Sequence, residues 1–309
     1  MSELKATPCE NSSYSIAGKV FLLGEYAVLA GLPAVVAAVG PRFQVSLELG
    51  SSLSPLAPKG SPLDRLFQWE TGAQKKKAIP LRFFDPHDGA GGFGASTAEF
   101  ALAYQAYQQK DPGWKNLWML YRELMSKDLS ENQTPPSGAD LVAQWQGGIV
   151  FFDPQGPHCM DLWPLMDWSG VLIFSATGIP GRKLATHLHL KNISLKDIES
   201  AVEPALAAGV AAIREGSPER LGKAMVAYAD VLSELGFESE QANADRKELL
   251  KQPGVLGVKG CGAMLTDAVV VVVGPNPENR ERVIELARSR GLRLIADGLG
   301  CEMGITCQK

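Results

Sequence analysis

The sequence predicts an α+β fold in which helices are segregated from the sheets instead of alternating with parallel strands. Three observations carry that expectation. An apolar stretch from Val171 to Ser175 is followed by three consecutive helical segments, near Lys196 to Glu215, Pro218 to Leu235 and Ser239 to Gln252. The chain then closes with a strand from Ala268 to Val273, a helix from Pro277 to Arg290 and a strand from Leu292 to Ala296. Near the start, Phe43 to Leu49 alternates apolar and polar at period two, the pattern of a strand with one wet face.

In chain order, Ile16 to Leu23 is β-rich and ends at Gly24-Glu25, and residues from Gly50 to Pro62 carry the Ser, Pro and Gly of a loop. Ile79 to Phe84 reads as a strand that runs into a glycine cluster. Ser96 to Lys110 then places Ala, Phe, Leu and Tyr at three- and four-residue intervals, which predicts a helix with hydroxyls in its first turn. Further helices are expected from Trp114 to Lys127 and from Asp140 to Gly147, then a strand from Ile149 to Phe152. A composition change near Pro164 to Gly170 places a domain boundary there, with domains 1–166 and 167–309.

The 309 residues suffice for one large or two medium domains, with room to enclose a substrate. A net charge of −4 with scattered cations does not fit a nucleic-acid binder, and Lys75-Lys76-Lys77 reads as a solvated loop. Five widely spaced cysteines without a C-x-x-C pair point away from a disulfide framework or zinc site and toward a reducing cytoplasm. Residues 1–15 lack the charged and apolar regions of a signal peptide, and the longest apolar runs are too short for a bilayer span.

Four segments could carry chemistry. In Asp88-Gly89-Ala90-Gly91-Gly92-Phe93-Gly94-Ala95-Ser96-Thr97, a glycine-rich strand-to-helix connection is either a surface turn or an anion cradle, since glycine permits close backbone approach and the helix offers free N–H groups. No Lys occurs between Lys77 and Lys110, which removes a Walker A loop, and Gly94-Ala95-Ser96-Thr97 breaks the dinucleotide fingerprint. Lys19, inside the apolar strand, sits either at a strand end or lining a polar site. In Pro136-Ser137-Gly138-Ala139-Asp140 a turn enters a helix, and Ser137 and Asp140 act either as cap and dipole partner or as site residues. Gly257 to Ala263 reads as a loop before the apolar strand, and Cys261 has no histidine context that would make it a nucleophile.

Taken in order, these segments resemble the motifs of the GHMP kinase family. Gly18-Lys19-Val20 through Gly24-Glu25-Tyr26-Ala27-Val28-Leu29 is similar to the family's first motif, and Gly92-Phe93-Gly94-Ala95-Ser96-Thr97-Ala98 resembles its phosphate loop. Ser137-Gly138-Ala139-Asp140 with Gly147-Gly148 resembles the segment that carries the catalytic aspartate in mevalonate kinases, and Gly260-Cys261-Gly262-Ala263 resembles the late glycine motif.

The resemblance implies a GHMP kinase two-domain fold, with an N-terminal ATP-binding domain like ribosomal protein S5 domain 2 and a ferredoxin-like C-terminal domain. It implies ATP and Mg²⁺, with Asp140 and Lys19 catalytic and paired with each other. Gly91, Gly92, Gly94, Ala95, Ser96 and Thr97 would cradle the phosphates, and Ser96 and Glu131 would serve the metal. Glu25, Tyr26, Ser137, Arg182, Lys183, Gly260 and Gly262 would line the acceptor. Tyr26 and Phe93 lean toward the phosphomevalonate kinases, with mevalonate kinase next, and a diphosphomevalonate decarboxylase or a non-catalytic ligand-binding homologue as the alternatives outside kinase chemistry. The expected partner is a small molecule, mevalonate or phosphomevalonate, bound by a cytoplasmic monomer or homodimer without nucleic acid or membrane. The late motif has Gly260-Cys261-Gly262-Ala263-Met264 where the family has a longer glycine run, and Leu129 stands where mevalonate kinases have a metal-binding Glu.

Overall fold

The computed structural model describes residues 13–47, 58–72, 80–127, 129, 134–155, 158–161, 168–176, 194–262, 265, 267–299 and 302–308. β1 (Ser13–Leu23) is buried on both faces beyond its first residue and pairs antiparallel with β2 (Ala34–Leu47). The inner half of β2 is the apolar run that shows no alternation. Val35, Ala37 and Val39 face the main core, while Ala34 and Val36 pack on the opposite side against Ala139, Val142 and Ala143. A strand covered on both faces reads as a continuous apolar run, and alternation begins only at Phe43, where one face meets water.

The sequence pattern does not mark α1 (Pro62–Gly72), whose buried Leu63, Leu66 and Glu70 lie on one helical stripe. β3 (Leu81–Phe84) pairs with the outer half of β2. Then come α2 (Ala95–Gln108), α3 (Trp114–Ser126), α4 (Ala139–Gln146), β4 (Ile149–Asp153) and β5 (His158–Asp161), close to the expected bounds where expectations existed.

The second half contains β6 (Val171–Ser175), α5 (Leu195–Arg214), α6 (Pro218–Glu234), α7 (Glu240–Leu250), β7 (Val255–Cys261), β8 (Ala268–Val273), α8 (Pro277–Ser289) and β9 (Arg293–Asp297). Its four long helices start at side-chain caps, Ser194, Ser217, Ser239 and Asn276, each accepting a first-turn N–H. β7 corrects the loop expected at this point. Gly257 of β7 and Gly222 of α6 face each other without side chains, so the helix backbone lies directly on the strand.

The strands form two antiparallel sheets. With β10 at Thr306–Gln308, the first has the order β10-β1-β2-β4-β5 with β3 also on β2, and the second has the order β7-β8-β6-β9. Read along the chain, the second sheet is strand, helices, two strands, helix, strand, the ferredoxin-like arrangement. β10 (Thr306–Gln308) returns to the first sheet and pairs with the start of β1. Arg42 holds that return, donating to the carbonyls of Met303 and Gly304 and to the hydroxyl of Ser15. The two sheets share one core, in which Leu23 and Ala27 join Ile173, Tyr228 and Val270. Among the described residues no helix is long and apolar enough to cross a membrane.

Candidate active site

The site is built where β1, the glycine segment and α4 meet. The backbone N–H of Lys19 donates to the carbonyl of Phe93 at 3.1 Å, so β1 carries the glycine segment as an added backbone partner. The Lys19 side chain is 7% exposed. A Cβ on Gly94 would lie 3.0 Å from Lys19 Cγ, so the lysine stem runs along the loop, and its Nζ stands 5.0 Å from the ring centre of Phe21. Lys19 therefore lies within the strand and not at its end, with its stem enclosed.

Gly92 and Gly94 take φ values of 87° and 81°, a region that disfavours other residues, and Gly94 is the N-cap of α2 without a side-chain cap. The carbonyl of Gly94 points inward, accepting from the N–H of Ala98 at 2.9 Å and from Gln144 Nε2 at 3.3 Å. With the Phe93 carbonyl also occupied, the outward face of this turn is left to N–H groups and the positive end of the α2 dipole. Ser96 is exposed there. Thr97 is 1% exposed, and its hydroxyl turns inward to donate to Gln144 Oε1 at 2.6 Å, so the hydroxyl holds the loop and leaves only the backbone N–H of this residue for a phosphate.

Asp140 lies half-buried in the first turn of α4, behind the Gly138 N-cap. A Cβ on Gly138 would meet Trp118 Cδ1 at 2.7 Å, which only glycine avoids. Trp118 Nε1 donates to the Ser137 carbonyl at 2.8 Å, Arg122 Nη1 to the Pro136 carbonyl at 3.0 Å, and the Ser137 hydroxyl accepts from the N–H of Ala139 at 3.3 Å. The turn before Asp140 is therefore fastened to α3, and Ser137, 8% exposed, serves as a local cap. Burial, reinforced by the Asp140 charge, raises the pKa of neighbouring Tyr121. The expected Lys19–Asp140 ion pair is absent among the described residues. The Lys19 stem follows Gly94 toward Phe21, and Asp140 Oδ1 accepts from the N–H of Leu141 at 3.2 Å.

The late glycines meet the early ones across Asp267. A Cβ on Gly91 would stand 2.5 Å from Asp267 Oδ1, and one on Gly262 would stand 2.6 Å from Oδ2, so a single carboxylate lies between the two segments. Gly260 is buried inside β7, where a Cβ would run into Leu265, and acts in packing instead of facing an acceptor. Glu25 forms a buried ion pair with Lys259, whose ammonium also donates to the Gly260 carbonyl at 2.7 Å. Burial opposes the charge of Lys259, but Cys261 and Glu25 beside it outweigh that and raise its pKa. Tyr26 stacks on Phe237 at 4.3 Å, so both acceptor residues expected from the first motif are engaged in internal packing. Arg182, Lys183 and Glu131 lie outside the described residues.

Four contributors escaped the sequence reading: Gln144, Asp267, Lys259 and His87. Lys259 lies in an apolar strand just as Lys19 does, and the desolvation argument applied to one flags the other. His87 is 1% exposed and stacks on Phe93 at 4.3 Å and 5°, directly beneath the loop. Asp267 and Gln144 carry no local signal, because their roles depend on which segments meet. Among the described residues no three His, Cys, Asp or Glu side chains gather as a metal cluster. The oxygen donors beside the loop, the Ser96 hydroxyl and the Asp267 carboxylate, are the hard type that Mg²⁺ takes when phosphates complete its shell.

No protein-family model matches the chain. A mevalonate kinase from Aeropyrum pernix is 26% identical over 283 residues, covering 81% of this chain and 84% of that protein. The Methanococcus jannaschii mevalonate kinase structure has a TM-score of 0.71 at 14% identity, covering 98% of this chain and 99% of that one. The Streptococcus pneumoniae phosphomevalonate kinase in complex with phosphomevalonate and AMPPNP has a TM-score of 0.72 at 14% identity, covering 92% of this chain and 98% of that one. Fold and sequence relative agree: the chain has the two-sheet architecture of the GHMP kinases and a homologue among the mevalonate kinases.

Proposed function

We propose that the chain is an ATP-dependent kinase of the mevalonate pathway that transfers the γ-phosphoryl group to 5-phosphomevalonate. The observation that carries the kinase reading is the uncapped N-terminus of α2 beside Lys19, with the preceding carbonyls turned inward. Such a turn receives phosphate oxygens through N–H groups, and Lys19 adds a positive charge at its edge. Asp140, held on the rigid start of α4, accepts the proton of the acceptor hydroxyl, and Lys19 stabilises the charge on the transferring group. Ser96, with Glu131 as a further ligand, would hold Mg²⁺, which would supply charge neutralisation of the phosphates.

The acceptor rests on the resemblance of Glu25-Tyr26 and Phe93 to the phosphomevalonate kinases and on the cations Arg182 and Lys183. Mevalonate itself is the second reading, favoured by the Aeropyrum pernix relative. The five widely spaced cysteines fit a cytoplasmic setting.

The test is ADP release with Mg·ATP against mevalonate, 5-phosphomevalonate and diphosphomevalonate. We expect turnover with 5-phosphomevalonate, a kcat lower by about 10²–10⁴ in Asp140→Asn and Lys19→Met, and retained nucleotide binding in both. Preference for mevalonate decides for the second reading, and CO₂ release from diphosphomevalonate overturns both. Parental turnover in Asp140→Asn refutes its role.

A further inference from the structure

Gln144 is 0% exposed and sits one helical turn beyond Asp140 on α4. Burying an amide is unfavourable unless its polar atoms are satisfied, and here all of them are. Nε2 donates to the carbonyl of Ala17 at 3.0 Å and to that of Gly94 at 3.3 Å, while Oε1 accepts from the Thr97 hydroxyl at 2.6 Å. A Cβ on Gly94 would lie 3.1 Å from Nε2, so the amide is seated directly against the loop. One side chain thus joins the strand that carries Lys19, the glycine turn and first turn of α2, and the helix that carries Asp140.

The consequence is electrostatic as well as geometric. The peptide unit after Gly94 could present either its carbonyl or its N–H to the outside. Gln144 and the N–H of Ala98 both hold that carbonyl inward. A peptide turned the other way would direct its negative end at a bound phosphate. The same amide ties the loop to α4, the helix that carries Asp140.

We propose that Gln144 is a positioning residue for nucleotide binding and phosphoryl transfer, acting through the Gly94 carbonyl and Thr97, a role that rests on the kinase reading above. It touches no reacting atom. Its removal lowers the affinity for ATP and the turnover of the bound complex, and leaves the acceptor KM in place.

The experiment measures the Kd of Mg·AMPPNP by calorimetry, together with kcat and both KM values, in the parent, Gln144→Met, Thr97→Val and the double variant. Gln144→Met keeps the volume and removes the donors, so AMPPNP is expected to bind about tenfold more weakly, with a fall in kcat and an unchanged acceptor KM. Thr97→Val removes the other end of the same network and is expected to weaken AMPPNP about threefold. Because the two act as one unit, the double variant binds no more weakly than Gln144→Met. A merely structural role lowers the folded fraction and leaves the Kd of the folded protein untouched, and that outcome overturns the proposal. Should Gln144→Met fail to fold, Thr97→Val decides alone, with an unchanged Kd counting against. A parent that does not bind AMPPNP instead overturns the kinase reading, a separate failure.

Discussion

Lys259→Met isolates the buried ion pair that joins the first motif to the late glycine strand. Lys259 has no exposed side-chain area and Glu25 has 7%. Glu25 Oε2 already lacks a hydrogen-bond partner, so once the ammonium is gone neither carboxylate oxygen retains one among the described residues. Removing one member of a buried pair leaves an uncompensated charge and costs about 3–5 kcal/mol, more than the attraction itself contributes net. The lost bond to the Gly260 carbonyl acts in the same direction. At about 2 °C per kcal/mol for a chain of this size, the melting temperature of Lys259→Met should fall by about 6–10 °C. Calorimetry or a denaturant titration reads the change, and Glu25→Gln/Lys259→Met supplies the control. With the stranded charge gone, the double variant should be more stable than Lys259→Met alone. If the double variant is the less stable of the two, or if Lys259→Met melts with the parent, the charge argument is wrong.

Two further outcomes concern titratable groups near the loop. Burial holds the pKa of His87 below its ordinary 6.5, so the native state keeps the ring neutral while the unfolded chain takes up a proton below that value. Its contribution to stability is therefore present above pH 6.5 and lost as the pH falls through the native value. His87→Phe keeps the stack on Phe93 and should shrink the loss of melting temperature between about pH 7 and pH 5; an equal loss in parent and variant would falsify the assignment. Cys261 lies beside the Lys259 ammonium, which acts to lower a thiol pKa, yet burial dominates and pushes it up to about 12. With its Sγ donating to the Phe21 carbonyl at 2.8 Å, Cys261 should resist iodoacetamide in the native protein while exposed Cys307 reacts, as read by peptide mass spectrometry. Equal labelling of the two would count against a buried thiol.

The elements most legible in the sequence are those whose signals are local. β8 is legible residue for residue, because six apolar residues between Asp267 and Gly274 need no partner to be recognised. The placement of Asp140 in the first turn of α4 follows from Gly138 and the helical pattern behind it. β10 is different. Its pairing of Thr306 with Ser15 spans almost the whole chain, and its anchor is Arg42 in the middle of β2. β7 is hidden because its glycines read as loop formers, whereas Gly257 gives α6 a flat surface and Gly260 packs against Leu265. The partners of Glu25 and Tyr26 are hidden for a related reason: a motif fixes which residues approach the site, while Lys259 and Phe237 come from the other half of the chain.

Among the described residues two lysines are buried, and they differ in how their charge is met. Lys259 has a carboxylate, a carbonyl and a thiol around its ammonium, so its charge is compensated inside the protein and its role is to hold the halves together. Lys19 is nearly as enclosed, yet among the described residues no carboxylate pairs with it, and its contact is the face of Phe21. A cation over an aromatic ring recovers about 0.5–2 kcal/mol, and no carboxylate adds to it here. Residues that could have supplied a countercharge are engaged elsewhere: Glu25 with Lys259, and Asp140 with the first turn of its own helix. The Lys19 charge thus stands beside inward-turned carbonyls and outward-facing N–H groups, and each of these features lowers the energy of an arriving anion. A structural lysine would be paired from within. On the proposed kinase reading, the partner of Lys19 is one that comes and goes, as a phosphoryl donor must.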